Sequence, residues 1–218
     1  MELFEALNTT CAIRRFTDAP VTDEEIMTCL RAAVQAPSGG NIQPWQFLVV
    51  TDPERKRAIG EVYRRSYARY EPALVRAMPP FRDDGDRVRW ERMRDSARHL
   101  AAHLGDAPAL VLVLMPAISM TLTDEHGPLD VGTPFASVYP AVQNLMLAAR
   151  GLGIGTTLTT VYRIHQDQVR TICGVPDRYE VVALVPMGRP QGRFFQARRR
   201  PAETVTHWNR FGERRAAR

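Results

Sequence analysis

Lysine is almost missing from this chain: Lys56 is the only lysine among 29 basic residues, so the other 28 are arginines. A phosphate-binding loop of the GxxxxGK[ST] kind needs its lysine, and none stands in that pattern. Cysteine is scarce as well. Cys11, Cys29 and Cys173 are odd in number and far apart, which supports neither a disulfide framework nor a CxxC metal site. No apolar run reaches the ~18 residues that a membrane helix requires, so no membrane partner is expected. The opening Met1–Glu5 has neither the basic region nor the apolar core of a signal peptide, and a cytoplasmic location is the expectation. Basic pairs and triplets occur at Arg14-Arg15, Arg64-Arg65 and Arg198-Arg199-Arg200. No helix-turn-helix, finger or aromatic RNA-binding signature accompanies them, and no nucleic-acid partner is expected despite a net charge of +5.

What is present is an ordinary globular composition, 44% hydrophobic and 24% charged over 218 residues, which fits one domain. Thr22-Asp23-Glu24-Glu25 reads as a capping box, followed by Ile26, Leu30, Ala33 and Val34 at helical spacing, with Pro37 as the stop. Phe47 to Val50 reads as a buried strand, and Asp52-Pro53 opens a helix carrying Ile59, Val62 and Tyr63. The prolines and acids of 72–90 read as a loop or lid before a charged helix over 87–104, and 72–105 as a whole is the expected lid region. Ala109 to Met115 is the clearest central strand. A loop over 116–133 then leads to a helix with Val138, Val142, Leu145 and Ala149 on one face, stopped by Gly151. A short helix over 165–173 and a strand over 181–185 follow. From 189 to 218 the chain is polar and Arg-rich, with Phe194, Phe195, Trp208 and Phe211 spaced along it. Such an arm has too few apolar residues for its own core and too many aromatics for a solvated tail, so it is expected to wrap another surface.

The chemistry concentrates in Ala36-Pro37-Ser38-Gly39-Gly40-Asn41-Ile42-Gln43-Pro44-Trp45. Glycines permit close backbone approach, while Ser38, Asn41 and Gln43 offer a hydroxyl and two carboxamides that meet donor and acceptor edges together. That set suits a flat, polar-edged heterocycle better than a metal or a lone phosphate; the bland reading is a plain helix-to-strand loop. Arg14-Arg15 before a capped helix is either a solvated patch or, in a flavin site, a cation for the charge that forms at N1 and O2 on reduction. His99 and His103 have zinc spacing without a third ligand or an adjacent Glu, and read as an exposed helix face. Gly151, Gly153 and Gly155 form GxGxG after a helix, whereas a dinucleotide fingerprint follows a strand.

Taken in order, these segments resemble the FMN-dependent nitroreductase family. The APSxxNxQPW segment at 36–45, Arg14-Arg15-Phe16 with Pro20-Val21, the Gln143-Asn144-Leu145-Met146-Leu147-Ala148-Ala149 helix, Gly151 to Thr160, Val175-Pro176, Val182 to Gly188 and Arg199-Arg200-Pro201 carry the resemblance over nearly the whole chain. It implies an α+β fold, nitroreductase-like, with a central mostly antiparallel sheet flanked by helices and an intertwined homodimer holding two FMN at its interface. It also implies NADPH or NADH as electron donor and a small planar acceptor: a nitroaromatic, a quinone or an enone. Carried over by position, Arg14 faces the flavin pyrimidine with Arg15 and Phe16 beside it. Pro37, Ser38 and Gly39 line the ring, Asn41 and Gln43 lie close, and Ser137 reaches it from the central helix. Backbone at Leu158, Thr159 and Thr160 approaches N5 and O4, and Arg199 with Arg198 binds the phosphate. Thr10-Cys11-Ala12 departs from the family, which places basic residues there. Either Arg198 and Arg199 compensate, or FMN binds more loosely. Reductive dehalogenation, flavin fragmentation and a non-catalytic flavin store are the alternative readings.

Overall fold

In a computed structural model, which describes residues 1–117, 122–130 and 132–215, the helices start where local capping chemistry demands. After a short α1 (Leu3–Thr9), α2 (Asp23–Ala33) opens on the complete capping box: Glu25 N–H donates to Thr22 Oγ1 at 3.2 Å and Thr22 N–H to Glu25 Oε2 at 3.0 Å. Ile26, Leu30 and Ala33 are buried as their spacing requires, whereas Val34 lies past the helix end and is exposed. The edge strand β1 (Gln46–Val50) follows, and only Val50 of it is fully buried. Asp52 then caps α3 (Pro53–Ala77) by accepting from Arg55 N–H at 2.9 Å.

Helix α3 corrects the expectation of a loop over 72–90. It continues through Pro72 to Ala77, and α4 (Asp84–His103) begins soon after, with Asp83 as its cap. Pro72 removes one backbone donor, but an exposed flank tolerates that loss when ion pairs such as Arg94–Glu71 (3.0 Å) and Arg98–Glu71 (2.7 Å) tie the helix pair together. The expected lid region is therefore chiefly helical.

The central strand is β2 (Ala109–Pro116), buried from Ala109 to Met115. A hairpin of β3 (Leu122–Asp124) and β4 (Gly127–Leu129) occupies part of the stretch expected to be loop. Next come α5 (Phe135–Gly151), β5 (Gly155–Thr156), α6 (Gln166–Cys173) and β6 (Tyr179–Gly188). The main sheet has the order β1-β2-β6-β5, and every neighbouring pair is antiparallel. The chain is thus α+β, as expected. At the end of α5 the left-handed residue is Gly153 (φ 71°) rather than Gly151, which still belongs to the helix.

Alternation along β2 divides the interior into two cores. Ala109, Val111, Val113 and Met115 face α2 and α5, meeting Ile26, Leu30, Val138 and Leu145. Leu110, Leu112 and Leu114 face the other way, toward Ile59, Val62, Leu104 and Tyr162. Because β2 feeds both cores, truncating a leucine there to alanine costs about 2–5 kcal/mol. The sole lysine acts locally. Lys56 Nζ donates to the carbonyls of Ala107 (2.8 Å) and Pro108 (3.1 Å), holding the turn into β2. Burial pushes the Cys29 and Cys173 thiols up to about 11, so neither is a reactive thiolate. Among the described residues no helix is long and apolar enough to cross a membrane.

Candidate functional site

The segment Cys11–Thr17 runs in extended conformation along the β5 edge and the start of the arm. Ile13 N–H donates to Thr156 O at 2.9 Å, Thr17 N–H to Arg189 O at 2.8 Å, and Gln191 N–H to Arg15 O at 3.1 Å. Such close pairing needs glycine opposite it. A Cβ at Gly155 would stand 2.7 Å from Ile13 Cγ2, and one at Gly188 would stand 2.8 Å from both Phe16 Cδ1 and Pro108 Cδ. Two glycines therefore decide where Arg14 and Arg15 sit. Phe16, by contrast, is half-buried against the second core.

Arg15 is fixed by α4: its Nη1 donates to His99 Nδ1 at 2.8 Å. A guanidinium has no acceptor, so His99 Nδ1 must be bare of a proton. Burial, then the Arg15 charge, then neighbouring His103 hold the His99 pKa below its ordinary value. Arg14 lies near Tyr63. Burial pushes that phenol's pKa up, while a hydrogen bond to Thr159 and the Arg14 charge oppose the rise. Tyr63 OH meets Thr159 Oγ1 at 2.9 Å, and the Thr159 backbone pairs with Leu184 in both directions at 2.9 and 3.1 Å. Tyr63 thus ties α3 to the Leu158–Thr160 stretch, of which Leu158 and Thr160 are exposed.

Around Arg14 and Arg15 opens a cavity of about 570 Å³. α4 adds Arg89 and Arg92, and the chain after β6 adds Arg193, Arg198 and Arg199, with no carboxylate in the lining. Seven arginines line it, of which Arg89 is paired with Asp86 outside the lining; the six others make it a strong anion site, and the volume is in the range of cofactor pockets. Arg199 also lines a smaller cavity of about 240 Å³ beside Thr10, next to the stretch where the basic residues of the resembled family are missing. The arm is anchored here by Phe194, over which the buried Arg150 guanidinium lies at 4.1 Å.

The other predicted residues form a second group. Gln43 N–H donates to Ser38 Oγ at 2.9 Å, Gly39 N–H to Ser137 Oγ at 3.1 Å, and Gln43 Nε2 to Asn41 Oδ1 at 3.0 Å. The backbone is left-handed at Gly40 (φ 57°), Asn41 (φ 54°) and Gln43 (φ 51°). Two non-glycine residues in that region store about 1–3 kcal/mol each, and buried Trp45 anchors the end of the strained loop. Pro37, Gly39, Asn41 and Gln43 are exposed, Ser38 and Ser137 half-exposed. None of them lines the arginine cavity. Within one chain, then, the predicted site residues fall into two separate clusters.

Sequence reasoning missed Tyr63, the α4 residues Arg89, Arg92, Met93 and Ser96, and Arg193. It also read His99 as an idle helix face, although the four-residue spacing of His99 and His103 marked the pair out. Among the described residues no group of three or more His, Cys, Asp or Glu side chains stands together as metal ligands would.

The family model described as the nitroreductase family matches residues 9–189, a match that ends where the arm begins. The chain is 26% identical over 200 residues to the NADH dehydrogenase of Thermus thermophilus, covering 90% of this chain and 91% of that one. It is 29% identical over 185 residues to the 5,6-dimethylbenzimidazole synthase of Rhodospirillum rubrum, covering 82% and 77%. A solved structure of iodotyrosine deiodinase bound to FMN and 3-iodo-L-tyrosine superposes with a TM-score of 0.71 at 25% identity, covering 96% of this chain and 100% of that one.

Proposed function

This chain belongs to the nitroreductase family, and from that premise we propose that it is an FMN-dependent oxidoreductase. It would take reducing equivalents from NADH or NADPH and pass them to a small planar acceptor such as a nitroaromatic, a quinone or an enone. The observation that carries the reading is the arginine cavity free of carboxylates, which fits a phosphate and the electron-rich edge of a flavin.

Arg198 and Arg199 would hold the FMN phosphate, and Arg14 the pyrimidine edge, with Leu158, Thr159 and Thr160 offering backbone beside it. FMN, when bound, supplies hydride transfer between donor and acceptor; the protein supplies binding, orientation and electrostatics. Arg15, pinned by His99, keeps a second fixed positive charge at the cavity. The strained Ser38–Gln43 loop and Ser137 would close over the flavin from a second copy of the chain, which accounts for their separation from the arginines in one copy. Exposed Leu3 and Phe4 of α1, with Phe195, Trp208 and Phe211 of the arm, are the apolar surface such a homodimer would cover. Residues 1–218 would be one domain, with 72–105 as the lid region and 189–218 as the wrapping arm; 216–218 lie outside the described residues.

A second reading, another flavin reaction such as reductive dehalogenation or flavin fragmentation, draws support from the relatives named deiodinase and benzimidazole synthase. The test is the absorption spectrum of the purified protein followed by anaerobic titration with NADH and NADPH in turn. A yellow protein carrying one FMN per chain and bleached by either nucleotide is expected. Protein that stays colourless with added FMN overturns the reading, and protein that stays yellow on titration is a flavin store.

A further inference from the structure

The arginine cavity holds more positive charge than one flavin phosphate accounts for. A phosphate monoester brings about two negative charges, which Arg198 and Arg199 match. Arg14 has the flavin edge to face, and Arg15 is held by His99. Arg89 is neutralised by Asp86, and two cations are left over: Arg92 on α4 and Arg193 on the arm.

Arg92 is singular on its own helix. The other four arginines of α4 all have acids: Arg87 pairs with Asp84 and Glu91, Arg89 with Asp86, Arg94 with Glu71, and Arg98 with Glu71 and Asp95. Arg92 has no acidic partner among the described residues. It lines the cavity together with Arg89, Met93 and Ser96, the spacing of one helical stripe. Met93 and Arg89 also line an adjoining cavity of about 530 Å³, whose walls include Pro80, Phe81 and Trp90. A cation thus stands at the edge of a recess walled by Pro80, Phe81 and Trp90, whose charged lining residues Arg82, Asp86 and Arg89 are paired with one another, and the thioether of Met93 favours an aromatic ring lying across the junction.

We propose that Arg92, seconded by Arg193, is an anion subsite that selects a planar aromatic acceptor bearing a carboxylate. The inference rests on the FMN oxidoreductase reading and names the acceptor class for it. A guanidinium takes a carboxylate through two parallel N–H donors, so the acid group would set the ring's orientation as well as its affinity. The phosphates of the nicotinamide donor are the other source of the same chemistry.

The test is equilibrium titration of the oxidised FMN-loaded protein, without electron donor, by 4-nitrobenzoate and by its neutral isostere 4-nitrobenzamide. The benzoate should bind about tenfold tighter, the low end for a charge-assisted hydrogen bond. Arg92→Gln should abolish that preference and leave nitrobenzamide unchanged, while Arg92→Lys should keep part of it. Arg92 is exposed, so neither change challenges the fold. Equal binding of the two probes by the parent protein overturns the proposal. So does an Arg92→Gln variant that keeps the preference, or one that loses affinity for NADPH and not for nitrobenzoate. Protein that takes up no FMN overturns the functional reading, and this one with it; protein that takes up FMN without telling the probes apart overturns this one alone.

Discussion

Arg15 and His99 stand 84 residues apart in the chain and meet at 2.8 Å, the arginine donating and the imidazole Nδ1 accepting. The contact joins the extended N-terminal segment to α4. His99 in turn packs on His103 with ring centroids 4.4 Å apart, and His103 Nδ1 lies 2.9 Å from Asp106 Oδ2.

This contact makes stability depend on pH in a definite direction. His99 is held below its ordinary value of 6.5 by burial, by Arg15 and by His103, so the folded state resists a proton that the unfolded chain accepts. Its contribution is fully present above that ordinary value and is lost as pH falls from there toward the lower folded value. Thermal midpoints measured between about pH 7.5 and about pH 5.5 should decline, and His99→Gln should flatten the decline. Parallel profiles for the two proteins would show that the pair carries no such linkage.

Gly155→Ala places a methyl 2.7 Å from Ile13 Cγ2, against a segment hydrogen-bonded on both sides. Overpacking of this kind costs about 1–3 kcal/mol, and here it displaces Arg14 and Arg15 as well. Denaturant unfolding should report the lost stability, and FMN titration a weakened site. Gly151→Ala is the control, since nothing lies within 4 Å of a Cβ there. Equal behaviour of the two variants would remove the steric argument.

Arg199→Ala should weaken FMN binding without altering the fold. A charge-assisted hydrogen bond is worth roughly 1.5–3 kcal/mol, about a tenfold to hundredfold change in Kd, and an exposed guanidinium belongs at the lower end. Fluorescence titration with FMN checks it. An unchanged Kd transfers the phosphate to Arg198.

Arg14→Gln keeps hydrogen-bonding capacity and removes the charge beside Tyr63. The bound flavin's two-electron potential should fall by a few tens of millivolts, where about 30 mV corresponds to roughly 1.4 kcal/mol. Reduction by NAD(P)H should slow accordingly. Loss of FMN with an unaltered potential in the fraction still loaded would make Arg14 a phosphate or structural residue.

The sequence by itself determined the elements whose cause is local. Thr22 and Glu25 cap α2 across three residues, Asp52-Pro53 opens α3, and the apolar run Ala109 to Met115 has no other place than a doubly covered strand. The Ser38–Gln43 segment stood out for the same reason, its donors being neighbours in the chain. Where the outcome hangs on distant groups, the sequence was mute or misleading. Pro72 reads as a break, yet packing of α3 against α4 carries the helix past it. Asn41 is a residue type that tolerates a left-handed backbone, but Gln43 carries no mark of its own, and hydrogen bonds to Ser38 and Ser137 hold that loop. Only tertiary structure could bring Arg15 to His99, leave Arg92 without an acidic partner among the described residues on a helix of paired arginines, and divide the predicted site into two clusters. Those facts rest on side chains far apart in sequence, whose meeting follows from strand order and helix packing and from no spacing along the chain.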